Sequence, residues 1–294
     1  MRRRLAASLF ALVASVACAT PAQAQSRGTL LIVGGGRQPD ALVARFVELA
    51  GGAGRARIAV LPMASGAAQE SGDGKVEQLV AFGAEAFNLN LTRAQAQTDS
   101  AVALLQDVTG VWFPGGDQAR LVAVLEDTPV LAAIHARLAA GAVLGGTSAG
   151  AAIMSDSMLT GSQIIAGEDT IGYHGDEFRR IARGTIEIVP GFGFLSGAIV
   201  DQHFIERERH NRLLSVILER PTLIGAGIAE GTAIEVQSDG RWIVRGRGAV
   251  VVYDARTAHV TERDAAVLGA ASMRMHLLPA GAIFEPRTGK VTLR

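Results

Sequence analysis

Short, unbroken apolar runs that stop at glycine or proline recur along this chain, with helix-like stretches between them. Thr29 to Val33 (TLLIV) closes on Gly34-Gly35-Gly36, and Ala41 to Ala50 then reads as a helix. Arg57 to Leu61 ends at Pro62, and Ala84 to Leu91 reads as a third strand. Val108 to Phe113 is stopped by Pro114-Gly115-Gly116 before a helix over Gln118 to Glu126. A further helix, Val130 to Ala140, leads into Ala142 to Gly145. Strands that are apolar at every position must be covered on both faces, and interleaved helices supply that cover. The expected fold is therefore α/β, three-layer αβα with a mainly parallel sheet. From Thr232 the pattern changes to short strands, Ala233–Gln237, Trp242–Arg247 and Val250–Tyr253, with Ser238-Asp239-Gly240 as a hairpin turn. Antiparallel C-terminal strands are expected there. No repeat or low-complexity linker interrupts residues 25–294, which read as one domain.

Bulk charge narrows the function classes. Lys plus Arg and Asp plus Glu number 28 each, without the basic excess of a nucleic-acid binder. At 49% hydrophobic and 19% charged, the chain is too apolar to be disordered. The N-terminus differs from the rest. Arg2, Arg3 and Arg4 precede an apolar run from Leu5 to Ala17, and Ala22-Gln23-Ala24 places small residues at both cleavage positions. This is the layout of a secretory signal peptide over residues 1–24. The run is shorter than the ~20 residues that span a bilayer, so a secreted or periplasmic protein is expected rather than a membrane span. Ser15 is a poor residue three places before a lipoprotein cysteine at Cys18. Cleavage after Ala24 removes three arginines and no acid, taking the formal charge from 0 to −3. It also removes Cys18, the only cysteine, so stability must come from the core without a disulfide.

The sharpest chemical motif is Gly146-Thr147-Ser148-Ala149-Gly150, which follows an apolar strand and opens Ala151-Ala-Ile-Met154. In a strand–turn–helix setting, G-x-S-x-G presents a nucleophilic serine on a cramped turn at the sheet's C-terminal edge. The helix N-terminus behind Ser148 favours negative charge at the reacting centre. A serine needs a base, and His203 closes the apolar run from Gly197 at a second strand end. The orienting carboxylate stays open on spacing alone: Asp201, Asp169, Asp176, Glu206, Glu208 and Glu230 all qualify. Glu230 ends another apolar run, Leu223 to Ala229. The glycine amides after Phe113, near Gly116, could share an oxyanion hole with the Ala149 amide; a plain turn capped by Asp117 is the bland alternative. Arg207, Arg209 and Arg212 alternate with Glu206 and Glu208, as on a solvated helix face. Beside His203 they also suit substrate carboxylates, which guanidinium groups grip at two points.

Gly145 to Met154, Phe113-Pro-Gly-Gly-Asp-Gln118, Asp201-Gln-His-Phe204 with its trailing arginines, and Gly227-Ile-Ala-Glu230 together resemble the cyanophycinases. These are peptidase E-like (S51) serine peptidases with a class I glutamine amidotransferase-like fold, and the resemblance runs from Thr29 to about Pro279. It implies a triad of Ser148, His203 and Glu230, with Gln118, Asp201, Gln202, Arg207, Arg209 and Arg212 lining the substrate site. The implied substrate is cyanophycin or another aspartyl peptide, cut to β-Asp-Arg dipeptides, with acids of the Ile164 to Arg183 loop or Asp201 meeting its cationic groups. No cofactor and no metal are implied, and a homodimer is allowed. Two rivals use Gly34–Gly36 differently: an α/β-hydrolase esterase for its oxyanion hole, and an exported Rossmann-like binding protein for a phosphate. The first needs its acid between serine and histidine. The second loses the G-x-G-x-x-G spacing at Pro39.

Overall fold

A computed structural model describes residues 28–163, 180–262, 264–265 and 267–294. The signal segment, Cys18, Asp169 and Asp176 lie outside the described residues, as does the Ile164 to Arg183 loop up to residue 179. β1 (Thr29–Val33), α1 (Asp40–Leu49), β2 (Arg57–Val60), α2 (Ala68–Ala81) and β3 (Glu85–Asn88) begin the alternation. Two short helices, α3 (Arg93–Ala96) and α4 (Asp99–Ala103), lead to β4 (Gly110–Phe113) and α5 (Gln118–Leu125). Next come α6 (Pro129–Ala139), β5 (Val143–Thr147) and the one-turn α7 (Ala149–Ala152). The pair β6 (Ser157–Gln163) and β7 (Ile186–Pro190) precedes β8 (Ala198–Asp201), α8 (His210–Glu219) and β9 (Ile224–Ile228). β10 (Thr232–Val236), β11 (Trp242–Gly246) and β12 (Ala249–Asp254) follow, then β13 (His259–Val260) and β14 (Ala270–Ala271). The last are β15 (Arg274–Pro279), β16 (Ile283–Glu285) and β17 (Lys290–Thr292). No helix among the described residues is long and apolar enough to cross a membrane.

The main sheet runs β17-β16-β11-β10-β1-β5-β4-β2-β3. Its β1-β5-β4-β2-β3 part is parallel throughout, and β10 joins β1 antiparallel. One face buries Leu31, Val33, Ile58, Val60 and Trp112 with Leu42, Phe46 and Leu79 of α1 and α2. The other carries Leu30, Ile32, Val111 and Phe113 against Leu121, Ile134 and Ala151 of α5, α6 and α7. Strand positions alternate between faces because successive side chains point opposite ways. The predicted strands all form, with ends shifted by up to three residues: β3 is shorter than expected, and β5 and β12 run further. Of the longer helices, α2 escapes the apolar pattern. α2 is polar and holds Gly72 and Gly74, and its Gly72 is used for close approach: a Cβ there would collide with the Asn88 side chain. α8 starts at His210, so the arginines of the 207–212 stretch fall in different settings.

The C-terminal strands are not a separate extension. β10, β11, β16 and β17 widen the main sheet, whereas β12 and β15 join a second sheet, β15-β12-β9-β8. β8 and β9, the runs ending near His203 and Glu230, are therefore parallel partners in that second sheet rather than strands of the main one. Antiparallel β10 already occupies the free edge of β1. The second sheet packs Ile224, Ala226, Ile228, Val250 and Val252 into the same core as the main sheet. Its other face gives Ile199, Val251 and Tyr253 to Leu213, Val216 and Ile217 of α8.

Candidate active site

Ser148 stands between β5 and α7 at φ 54°, ψ −113°. A non-glycine residue at positive φ persists only where its surroundings hold it. The flanking glycines explain how the turn closes: a Cβ at Gly146 would run into the Gly150 carbonyl, and one at Gly150 into that of Phe113. Ser148 is therefore raised at the C-terminal end of β5, with the first amides of α7 behind it. His203 follows β8, also at positive φ, 49°. Its amide donates to the Gly34 carbonyl at 2.6 Å, tying the second sheet to the end of β1.

The imidazole bridges the other two groups. His203 Nε2 lies 2.9 Å from Ser148 Oγ, and Nδ1 lies 2.6 Å from Glu230 Oε1. With the ring proton on Nδ1, that nitrogen donates to Glu230 and Nε2 accepts from the serine hydroxyl. Burial pushes the His203 pKa down, the Glu230 bond opposes this, and the charges of Arg207 and Arg209 lower it further. The net direction is down, which keeps the ring neutral and able to take a proton near pH 7. Of the six carboxylates left open by spacing, Glu230 alone of the described ones meets the ring. Glu206 accepts from the Glu230 amide at 3.0 Å, and Asp201 is committed elsewhere. The carboxylate that meets the ring thus follows His203 in the chain, whereas an α/β-hydrolase places its acid before the histidine. Nor do Gly34–Gly36 form a phosphate cradle. A Cβ at Gly35 would strike the His203 ring and one at Gly36 the Glu230 carboxylate, so these glycines make room for the two side chains.

The expected substrate-lining set divides. Asp201, Arg209 and Arg212 are 0%, 2% and 1% exposed. Arg212 Nε donates to Asp201 Oδ2 at 2.7 Å, its Nη2 bonds Oδ1, and Arg209 Nη1 lies 3.6 Å from Oδ1. These three do not face a ligand, because their charges are buried on one another. Gln118 is buried too, and its amide donates to the Leu159 and Thr160 carbonyls at 2.8 and 2.9 Å, anchoring β6. The Gln202 side chain is buried, with Oε1 unpartnered among the described residues. Arg207 is half-buried, close enough for its charge to act on His203. On the oxyanion side, a Cβ on Gly115 would lie 3.3 Å from Ser148 Cβ, whereas one on Gly116 would point into the Ala64 carbonyl. Gly115 is thus the nearer of the two. Asp117 also caps α5, accepting from Ala119 at 2.9 Å.

Sequence reasoning missed one neighbour of Ser148. A cavity of about 320 Å³ opens between Thr147, Gly115 and Gly36, lined also by Gln38, Lys75 and Gln78. Its residues come from the β1–α1 turn and from α2, a helix the apolar pattern did not reveal. A larger cavity, about 780 Å³, lies at the other end of β1 beside Gly28, Trp242 and Phe194, away from the triad.

With this geometry in view, the chain can be set beside known proteins. The sequence model of peptidase family S51 matches residues 30–244. The cyanophycinase of Synechococcus elongatus is 32% identical over 280 residues, 90% of this chain and 81% of that protein. The cyanophycinase of Geminocystis herdmanii is 32% identical over 272 residues, covering 89% and 95%. A crystal structure of a peptidase from an acI-B1 Actinobacterium superposes with a TM-score of 0.62 at 21% identity, covering 92% of this chain and 99% of that one. That likeness concerns the fold.

Proposed function

This chain belongs to peptidase family S51, and from that premise we propose that it is an exported serine peptidase that hydrolyses cyanophycin to β-Asp-Arg dipeptides. The observation that carries the chemistry is the His203 ring lying within hydrogen-bond distance of both Ser148 Oγ and Glu230 Oε1. Ser148 Oγ attacks the scissile carbonyl carbon while His203 Nε2 takes the hydroxyl proton. Glu230 holds the Nδ1 proton and offsets the positive charge that the ring acquires. Amides of the Gly115–Gly116 turn and of Ala149 are the donors for the tetrahedral oxyanion, the Ala149 amide being free of intrahelical bonding at the first turn of α7. Collapse breaks the C–N bond, and Nε2–H protonates the leaving amine. Water then adds to the acyl-enzyme with His203 again as base. Arg207, beside the ring, is the remaining arginine suited to a substrate carboxylate.

Incubating the protein with insoluble cyanophycin and identifying the released products tests the substrate; β-Asp-Arg is expected. Ser148→Ala and His203→Ala should each abolish release and fluorophosphonate labelling, and the double variant should be little worse than either single one, since triad members act as a unit. Additive losses would mean that the two do not share a mechanism. The export part of the reading expects an exported protein beginning at Gln25; an exported protein that still begins at Met1 sinks it.

A further inference from the structure

The cavity beside Ser148 holds a cation with no counter-charge. Lys75 Nζ donates to Gln38 Oε1 and Gln78 Oε1, both at 2.6 Å. It also lies 4.4 Å from the centroid of the Trp112 ring. All three partners are neutral, so the site keeps its full positive charge. Among the described residues Lys75 makes no ion pair, and burial alone pushes its pKa down, to about 8. Near pH 7 it is still mostly an ammonium ion. The exposed Arg37 adds a second cation at the rim. Gln38 connects this charge to the reaction centre. Its Nε2 donates to Thr147 Oγ1 at 3.2 Å and to the Gly36 carbonyl at 3.3 Å. Thr147 precedes Ser148, and Gly36 lies against Glu230. A largely buried ammonium held by neutral oxygens is costly to desolvate and lowers that cost when an anion reaches it.

We propose that Lys75, positioned by Gln38 and Gln78, is a carboxylate-binding subsite that docks an α-carboxylate of an aspartyl-peptide substrate beside Ser148. The inference rests on the peptidase reading above and adds a specificity residue to it. The C-terminal unit of cyanophycin carries two free α-carboxylates, one from its aspartate and one from its β-linked arginine, and Lys75 offers a cation to one of them. Isothermal titration on the full chain carrying Ser148→Ala reads the subsite without turnover. The probes are the β-Asp-Arg dipeptide and its diamide, each measured with and without a further Lys75→Met substitution. Lys75→Met is expected to weaken the free-acid dipeptide about 10- to 100-fold, to leave the diamide unchanged, and to be partly rescued by Lys75→Arg. Equal weakening of both probes would mark a merely structural lysine, and no weakening of the acid, or no binding of it before substitution, would overturn the proposal. Cyanophycin digestion with Ser148 intact, run in parallel, tests the function separately: its failure would sink the substrate reading, while the ratio of dissociation constants still decides the subsite.

Discussion

At His203, burial and the nearby arginines work against the Glu230 carboxylate, and burial is the largest influence. Because the ring's pKa in the folded protein lies below the usual 6.5, the neutral form persists to lower pH than in an unfolded chain. Stability linked to this ring is complete above the unfolded value and is lost as pH falls through the folded one. Catalysis by a neutral base has the same sign, so kcat/KM should rise with pH through a midpoint below 6.5. Arg207→Ala removes a neighbouring cation and should move that midpoint upward, in the direction of 6.5. A pH–rate profile on a small activated ester measures both effects; a midpoint above 6.5 in the parent protein would show that the Glu230 carboxylate outweighs burial at this ring. Ser148 and His203 were legible at this scale because each ends an apolar strand. Glu230 was one of six carboxylates that spacing could not separate, since contact with an imidazole is set in space.

Between elements, charge patterning misled. Arg209 and Arg212 belong to a mixed-charge stretch of the kind found on solvated helix faces, yet they close on Asp201 at the end of β8. Two guanidinium groups sharing one buried carboxylate can stabilise the junction only while all three are present. Asp201→Ala would remove the buried carboxylate that both share, and breaking a buried pair this way costs about 3–5 kcal/mol. Denaturant titration should show the loss as a lower midpoint with an unchanged slope. Stability equal to the parent's would return Asp201 to the ligand site. α2 shows the complementary failure: its glycines and polar face hid a helix that Val76 and Leu79 anchor against α1, and with it the lysine beside Ser148.

On the scale of the whole molecule, the proposed triad is assembled across a seam. Ser148 belongs to the main sheet; His203 and Glu230 follow strands of the second. The seam closes at Gly34, whose amide donates to the Thr232 carbonyl at 3.0 Å and whose own carbonyl accepts from His203. A Cβ on Gly34 would meet the backbone carbonyls of Ile228 and Ala229, which cannot rotate away as a side chain can. Gly34→Ala should therefore push the sheets apart and displace His203 from Ser148. A misplacement of about 1 Å can cost roughly 10²-fold in rate. The expected outcome is fluorophosphonate labelling slowed by about that factor, with far-UV circular dichroism retained. Labelling at the parent rate would mean that the seam tolerates the methyl group.

The sequence by itself determined the α/β class, the strands from β1 to β5 and from β8 to β12, the cramped strand–turn–helix at Ser148 and the family. Each is encoded locally: apolar runs demand two-sided cover, and G-x-S-x-G demands a cramped turn. Only the tertiary structure decided that β8 and β9 form a second sheet, that Glu230 meets the imidazole, that two arginines are buried, and that Lys75 shares a cavity with Thr147 and Gly115. Those outcomes depend on which residues distant in the chain share a dry interface, and the pairing of distant segments, unlike periodicity, leaves no signature within a single segment.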